Sequence, residues 1–94
     1  MIMDKQMFLI SAGIQGQTLE FWLEQQWLIP DQGGAGPTFS DADLARARLI
    51  RGLKGDFSVN DEGVDLILHL LDQIHGLRLA LSQVPELTQR RAPG

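Results

Sequence analysis

The sequence predicts an all-α domain with at most one small β wing. Three observations lead there. Apolar residues recur at helical spacing in four segments, bounded by capping residues, Gly or Pro. A Gly- and Pro-rich stretch, "DQGGAGPTF" at 31–39, has room for a short hairpin and no more. Finally, "DEGVDLILHLLDQIHGL" at 61–77 has the spacing of a helix but is apolar around more than half its circumference.

Asp4 is placed to cap a first helix from Lys5 to about Ala12, with Gly13 where a left-handed C-terminal residue is wanted. A tight turn then leads into a second helix, roughly Gly16 to Trp27. Its Leu19, Trp22, Leu23 and Trp27 share one side and Glu20, Phe21, Glu24 and Gln25 the other. Pro30 stops it. Two short helices joined through a glycine outline a helix-turn-helix. After the wing, Ser40 caps a third helix with Asp43 at the third helical position, close to a capping box. This helix is expected from about Asp41 to Lys54, ended by Gly55. Leu44, Ala45, Ala47, Leu49, Ile50 and Leu53 supply its apolar side.

The connector "DFSVN" is expected to tuck Phe57 and Val59 inward. Asn60 caps the last helix, with Asp61, Glu62 and Asp65 at its positive end. Pro85 ends it near Val84. The expected organisation is one domain over 1–84: a helix-turn-helix-like region at 4–54 with the wing at 31–39, then the long helix at 60–84. A polar tail at 85–94 is expected to be disordered.

Ninety-four residues suffice for one modest core. Without cysteine there is no disulfide, thiolate metal site or cysteine nucleophile. No stretch reads as a signal peptide or a membrane span, so the expected compartment is the cytoplasm. Net charge is −4, unevenly laid out: Lys5 is the sole basic residue within 1–45, whereas Arg46, Arg48, Arg51 and Lys54 cluster.

Taken together, "AGI…LEFWLEQQWLIP" followed by "FSDADLARARLIRGLKGDFSVNDEGVDLILHLLDQIHGLRLAL" resembles the bacterial chaperone-modulator (CbpM-type) proteins. These are a branch of the MerR-like helix-turn-helix superfamily. The resemblance spans about Phe8 to Leu81. It implies a winged-helix-like N-terminal region, a long C-terminal helix and a dimer. It also implies a function: binding the J-domain of a DnaJ-like co-chaperone and restraining its stimulation of Hsp70. The chain departs from the known modulators where Pro85 cuts the last helix short. Many members of the wider superfamily are DNA-binding transcription factors, so a MerR-like regulator is the alternative. An interaction domain for an unrelated protein is a third reading.

The second helix would read DNA, yet from Gln15 to Ile29 there is no Lys or Arg. Glu20 and Glu24 would be repelled by phosphates. An acidic face suits a basic partner, and the resemblance supplies one in the positively charged J-domain helix that docks on Hsp70. Glu20, Phe21, Glu24, Asp61, Glu62 and Asp65 are the candidate partner-binding residues, with Phe21 as an aromatic anchor. Taken singly, each carboxylate is as well explained by solubility and helix dipoles. The excess apolar surface of the last helix is expected to be covered by a second copy. Val64, Ile67, Leu68, Leu71, Ile74, Leu77 and Leu81 are the candidate dimer-interface residues.

Asp65, His69 and Asp72 recur at i, i+4 and i+7, a spacing available to metal ligands. They also form the only polar stripe of that helix, and a solvated stripe with a local Asp–His contact is the plainer explanation. His75 lies at the edge of the apolar arc, where it would make a dimer seam pH-sensitive if it were not simply structural. "DQGGAGPT" lacks a phosphate-loop lysine. The expectation is no enzyme activity, no metal and no cofactor.

Overall fold

The computed structural model describes residues 1–84; the expected tail lies outside them. Four helices run in order, α1 (Lys5–Ala12), α2 (Gly16–Glu24), α3 (Asp41–Gly55) and α4 (Asp61–Ser82). Between α2 and α3 sits the wing, β1 (Asp31–Gly33) antiparallel to β2 (Gly36–Thr38) with Asp31 opposite Thr38. An isolated antiparallel bridge, Met3 to Phe39, ties the N-terminus to the end of the wing.

Caps explain most boundaries. Asp4 accepts from the Met7 amide, Ser40 and Asp43 form a full capping box, and Asn60 accepts from the Gly63 amide. At the end of α1, Gly13 takes φ +69, and the Ile14 amide returns to the Leu9 carbonyl. Helix α2 stops short of the expected Trp27 by the same device. Gln26 takes the left-handed conformation at φ 60, the Trp27 amide bonds the Trp22 carbonyl, and the Gln26 amide bonds that of Leu23. Trp27 is thereby turned into the core instead of extending the helix.

The core joins all four helices and the wing. Phe8 stacks on Phe39 with ring centroids 4.2 Å apart. Met3, Ala12, Leu19, Trp22, Trp27, Leu28, Ala47, Ile50, Val64 and Leu68 complete it. Two expectations fail here. Phe57 points outward, 74% exposed, because Ser58 adopts φ 53 and reverses the chain; only Val59 packs against the core. Val64 and Leu68, expected in a dimer interface, are buried within the subunit itself. They form the stripe by which α4 packs on its own chain.

Past Leu68 the same helix loses its cover. Leu70, Leu71, Ile74, Leu77 and Leu81 are all exposed, Leu77 and Leu81 by about two thirds. No helix of the described residues is long and apolar enough to cross a membrane.

Candidate protein-docking face

Trp27 joins the two elements that carry the candidate residues. Its indole N–H donates to Asp65 Oδ1 of α4 at 3.3 Å. Phe21 of α2 meets its ring edge-to-face, centroids 5.6 Å apart and planes at 84°. Lys54 of α3 sits 5.8 Å above the same ring and pairs with Asp61. The end of α2 is therefore held against the first two turns of α4. Gln25, Asp61, Glu62 and Asp65 line one shallow depression at that junction.

Of the six candidate residues, the structure brings Asp61, Glu62 and Asp65 together. Phe21 joins them through Trp27 and keeps over a third of its surface exposed. Glu20 and Glu24 lie on the exposed side of α2, one turn apart. Among the described residues, the side chains of Glu20, Glu24 and Glu62 have no hydrogen-bond or ion-pair partner. The face is thus negative, with a half-exposed aromatic at its margin. Lys54 is the cation the structure places in it.

The basic cluster on α3 is largely consumed inside the molecule. Arg46 donates through Nε to the Trp27 carbonyl, and through Nη1 and Nη2 to both carboxylate oxygens of Asp72 at 2.7 and 3.1 Å. Arg51 donates to the Ala12 carbonyl at 3.1 Å, supplying a partner to the end of α1. Lys54 is engaged with Asp61. Arg48, exposed, holds no ion pair among the described residues. Arg46 and Arg51 reach partners 19 to 39 residues away, whereas Lys54 and Asp61 are 7 apart.

Asp72 has its carboxyl held below the ordinary aspartate range, chiefly by the Arg46 hydrogen bonds and, less, by that cation's field; slight burial opposes the shift. The polar stripe of α4 does not act as a unit. Asp65 serves Trp27, Asp72 serves Arg46, and His69 contacts Gln73 at 3.1 Å instead of an aspartate. Among the described residues no group of three His, Asp or Glu side chains is placed to hold a metal ion.

Sequence reasoning missed the Trp27 and Arg46 connections. Each joins residues far apart in the chain. Their only local signal is two amphipathic side chains near helix ends.

Neither the curated proteins nor the solved structures yield a match to this chain. A family model does, over residues 4–85, and its description is MerR HTH family regulatory protein. The chaperone-modulator resemblance is consistent with that match. With four helices, a two-stranded wing and a family match over residues 4–85, the chain belongs to the MerR helix-turn-helix family.

Proposed function

We propose that this chain is a non-catalytic cytoplasmic adaptor that binds the J-domain of a DnaJ-like co-chaperone. It would occupy the basic helix through which that domain docks on Hsp70, and so restrain stimulation of the ATPase. It works as a homodimer joined through α4. One observation carries the reading. The helix positioned to enter a DNA groove presents Glu20 and Glu24 with no Lys or Arg, while Arg46, Arg51 and Lys54 are spent on contacts within the chain. What remains at the junction of α2 and α4 is a negative surface edged by Phe21. Such a surface complements a cationic helix: its charge guides encounter and its aromatic supplies desolvated contact area.

The test is an NMR titration of the isotope-labelled protein with an isolated J-domain. Saturable shifts should concentrate on α2 from Glu20 to Gln25 and on the first turns of α4. Absence of any saturable shift at high micromolar partner would remove the proposal. Duplex DNA binding that weakens steeply with added salt would replace it with the regulator reading.

A further inference from the structure

Lys54 is held differently from the other engaged cations of α3. Arg46 and Arg51 each donate to a backbone carbonyl, that of Trp27 and that of Ala12, so each supplies a main-chain acceptor with its partner. The Lys54 side chain donates to no backbone group among the described residues. Its ammonium meets the Asp61 carboxylate and lies 5.8 Å from the centroid of the Trp27 ring. A carboxylate beside an aromatic ring is a seat that recognises a cation by charge and by ring quadrupole together. Asp61 lines the depression shared with Gln25, Glu62 and Asp65, so the chain's own lysine occupies one seat of the acidic face.

The pair can open at little cost. The Lys54 side chain is 38% exposed and that of Asp61 48%, so solvent screens their attraction. Each is also favoured where it stands without the other. Lys54 is in the last turn of α3, at the negative end of that helix, and Asp61 is in the first turn of α4, at the positive end of its own. The flexible lysine stem lets the ammonium swing into water without moving the backbone. Glu20, Glu24 and Glu62 hold no cation of the chain among the described residues and can pair with a partner directly. Asp61 becomes available to one when Lys54 leaves.

We propose that Lys54 is a resident competitor of the docking face. It fills the seat formed by Asp61 and Trp27 in the free protein, and a cationic side chain of the partner helix displaces it. The inference rests on the adaptor reading above and names a residue that sets its affinity and selectivity. A partner with a cation in register with the seat replaces the opened pair by one of its own. A partner that merely carries net positive charge leaves Lys54 in place and meets it as a like charge. Lys54 thus lowers affinity for every cationic partner and lowers it most for those that do not fit.

Calorimetric titration of an isolated J-domain into the wild type, Lys54→Gln, Lys54→Arg and Arg48→Gln tests this. Arg48 is exposed on another side of the same helix and holds no ion pair among the described residues. Arg48→Gln therefore makes the same change in net charge away from the seat. Lys54→Gln should bind about three- to fivefold tighter than the wild type at low salt, with the advantage shrinking as salt is added. Lys54→Arg keeps a resident cation whose planar fork suits the Asp61 carboxylate, and should bind no tighter than the wild type. Arg48→Gln should stay close to the wild type. Lys54→Gln at or below wild-type affinity would overturn the competitor role and leave the adaptor reading standing. An equal gain in Arg48→Gln would also overturn it, by reducing the effect to net charge. Saturable binding by none of these proteins would remove the adaptor reading and the inference with it.

Discussion

Two side chains do most of the positioning. Trp27 is buried, yet its indole N–H reaches Asp65 and its ring meets Phe21 and Lys54, so its neighbours on α2, α3 and α4 become neighbours of one another. Arg46 clamps the Trp27 carbonyl and Asp72 together. The Asp72 side chain is well exposed, so solvent screens the pair, and Asp72→Asn should lower stability by about 1 kcal/mol or less at neutral pH. The sign with pH is set by the depressed carboxyl. Its contribution is complete above the ordinary aspartate pKa of about 3.9 and fades as pH falls through the lower folded value. Urea unfolding at pH 7 and again near pH 3 checks this: the gap between wild type and Asp72→Asn should narrow in acid. A gap that widened would contradict the assignment of Asp72 as the stabilising partner. Neither residue's role was legible in the sequence. Asp72 looked like part of a solvated Asp–His stripe, and Arg46 like a surface cation, because the contact between them spans 26 positions.

At the scale of elements, legibility followed local chemistry. The starts of α1, α3 and α4 could be read from Asp4, Ser40 and Asn60, whose side chains satisfy amides three residues on. The end of α1 could be read from Gly13. The end of α2 uses the same bonding pattern but places Gln26 in the left-handed conformation, with no glycine to announce it. A non-glycine residue there bears a cost of about 1 kcal/mol. Gln26→Gly should therefore raise stability by some tenths of a kcal/mol, the gain being trimmed by the entropy of glycine in the unfolded chain. Gly13→Ala should do the reverse by about 1–2 kcal/mol. Its backbone is at φ +69, and the new Cβ would lie 2.9 Å from Arg51 Nη1, disturbing the bond that closes α1. Chemical denaturation of both variants checks the pair of signs. The connector failed for a related reason: "DFSVN" offers two apolar residues, and the left-handed turn at Ser58 that sends Phe57 outward has no marker in the sequence.

Across the whole molecule, the composition of α4 was the most informative feature and also the most easily misassigned. Its excess of apolar surface was evident from the sequence. Which residues belong to which face was not, since that depends on the direction from which α1–α3 approach. Val64 and Leu68 went to the subunit's own core, and the overhanging half from Leu70 onward kept its apolar side exposed. Leu77→Asp should therefore leave the core intact. Its circular dichroism should match a folded α-helical domain while sedimentation shows loss of the proposed homodimer, because the charge enters the exposed apolar side of α4 and not the packed stripe. Loss of the fold would show instead that Leu77 supports the subunit itself.

The charge pattern of the proposed docking face divides along the same line. The carboxylates of α2 and α4 could be named from the sequence. That Asp61, Glu62 and Asp65 of α4 come together beside Trp27 required the structure. The most direct measurement of the central claim is calorimetric titration of a J-domain into the wild type and into a Glu20→Lys/Glu24→Lys variant, both exposed positions whose replacement spares the core. The account predicts saturable binding to the wild type that weakens with salt, and a loss of about tenfold or more in the variant. Equal affinity for both proteins would contradict it.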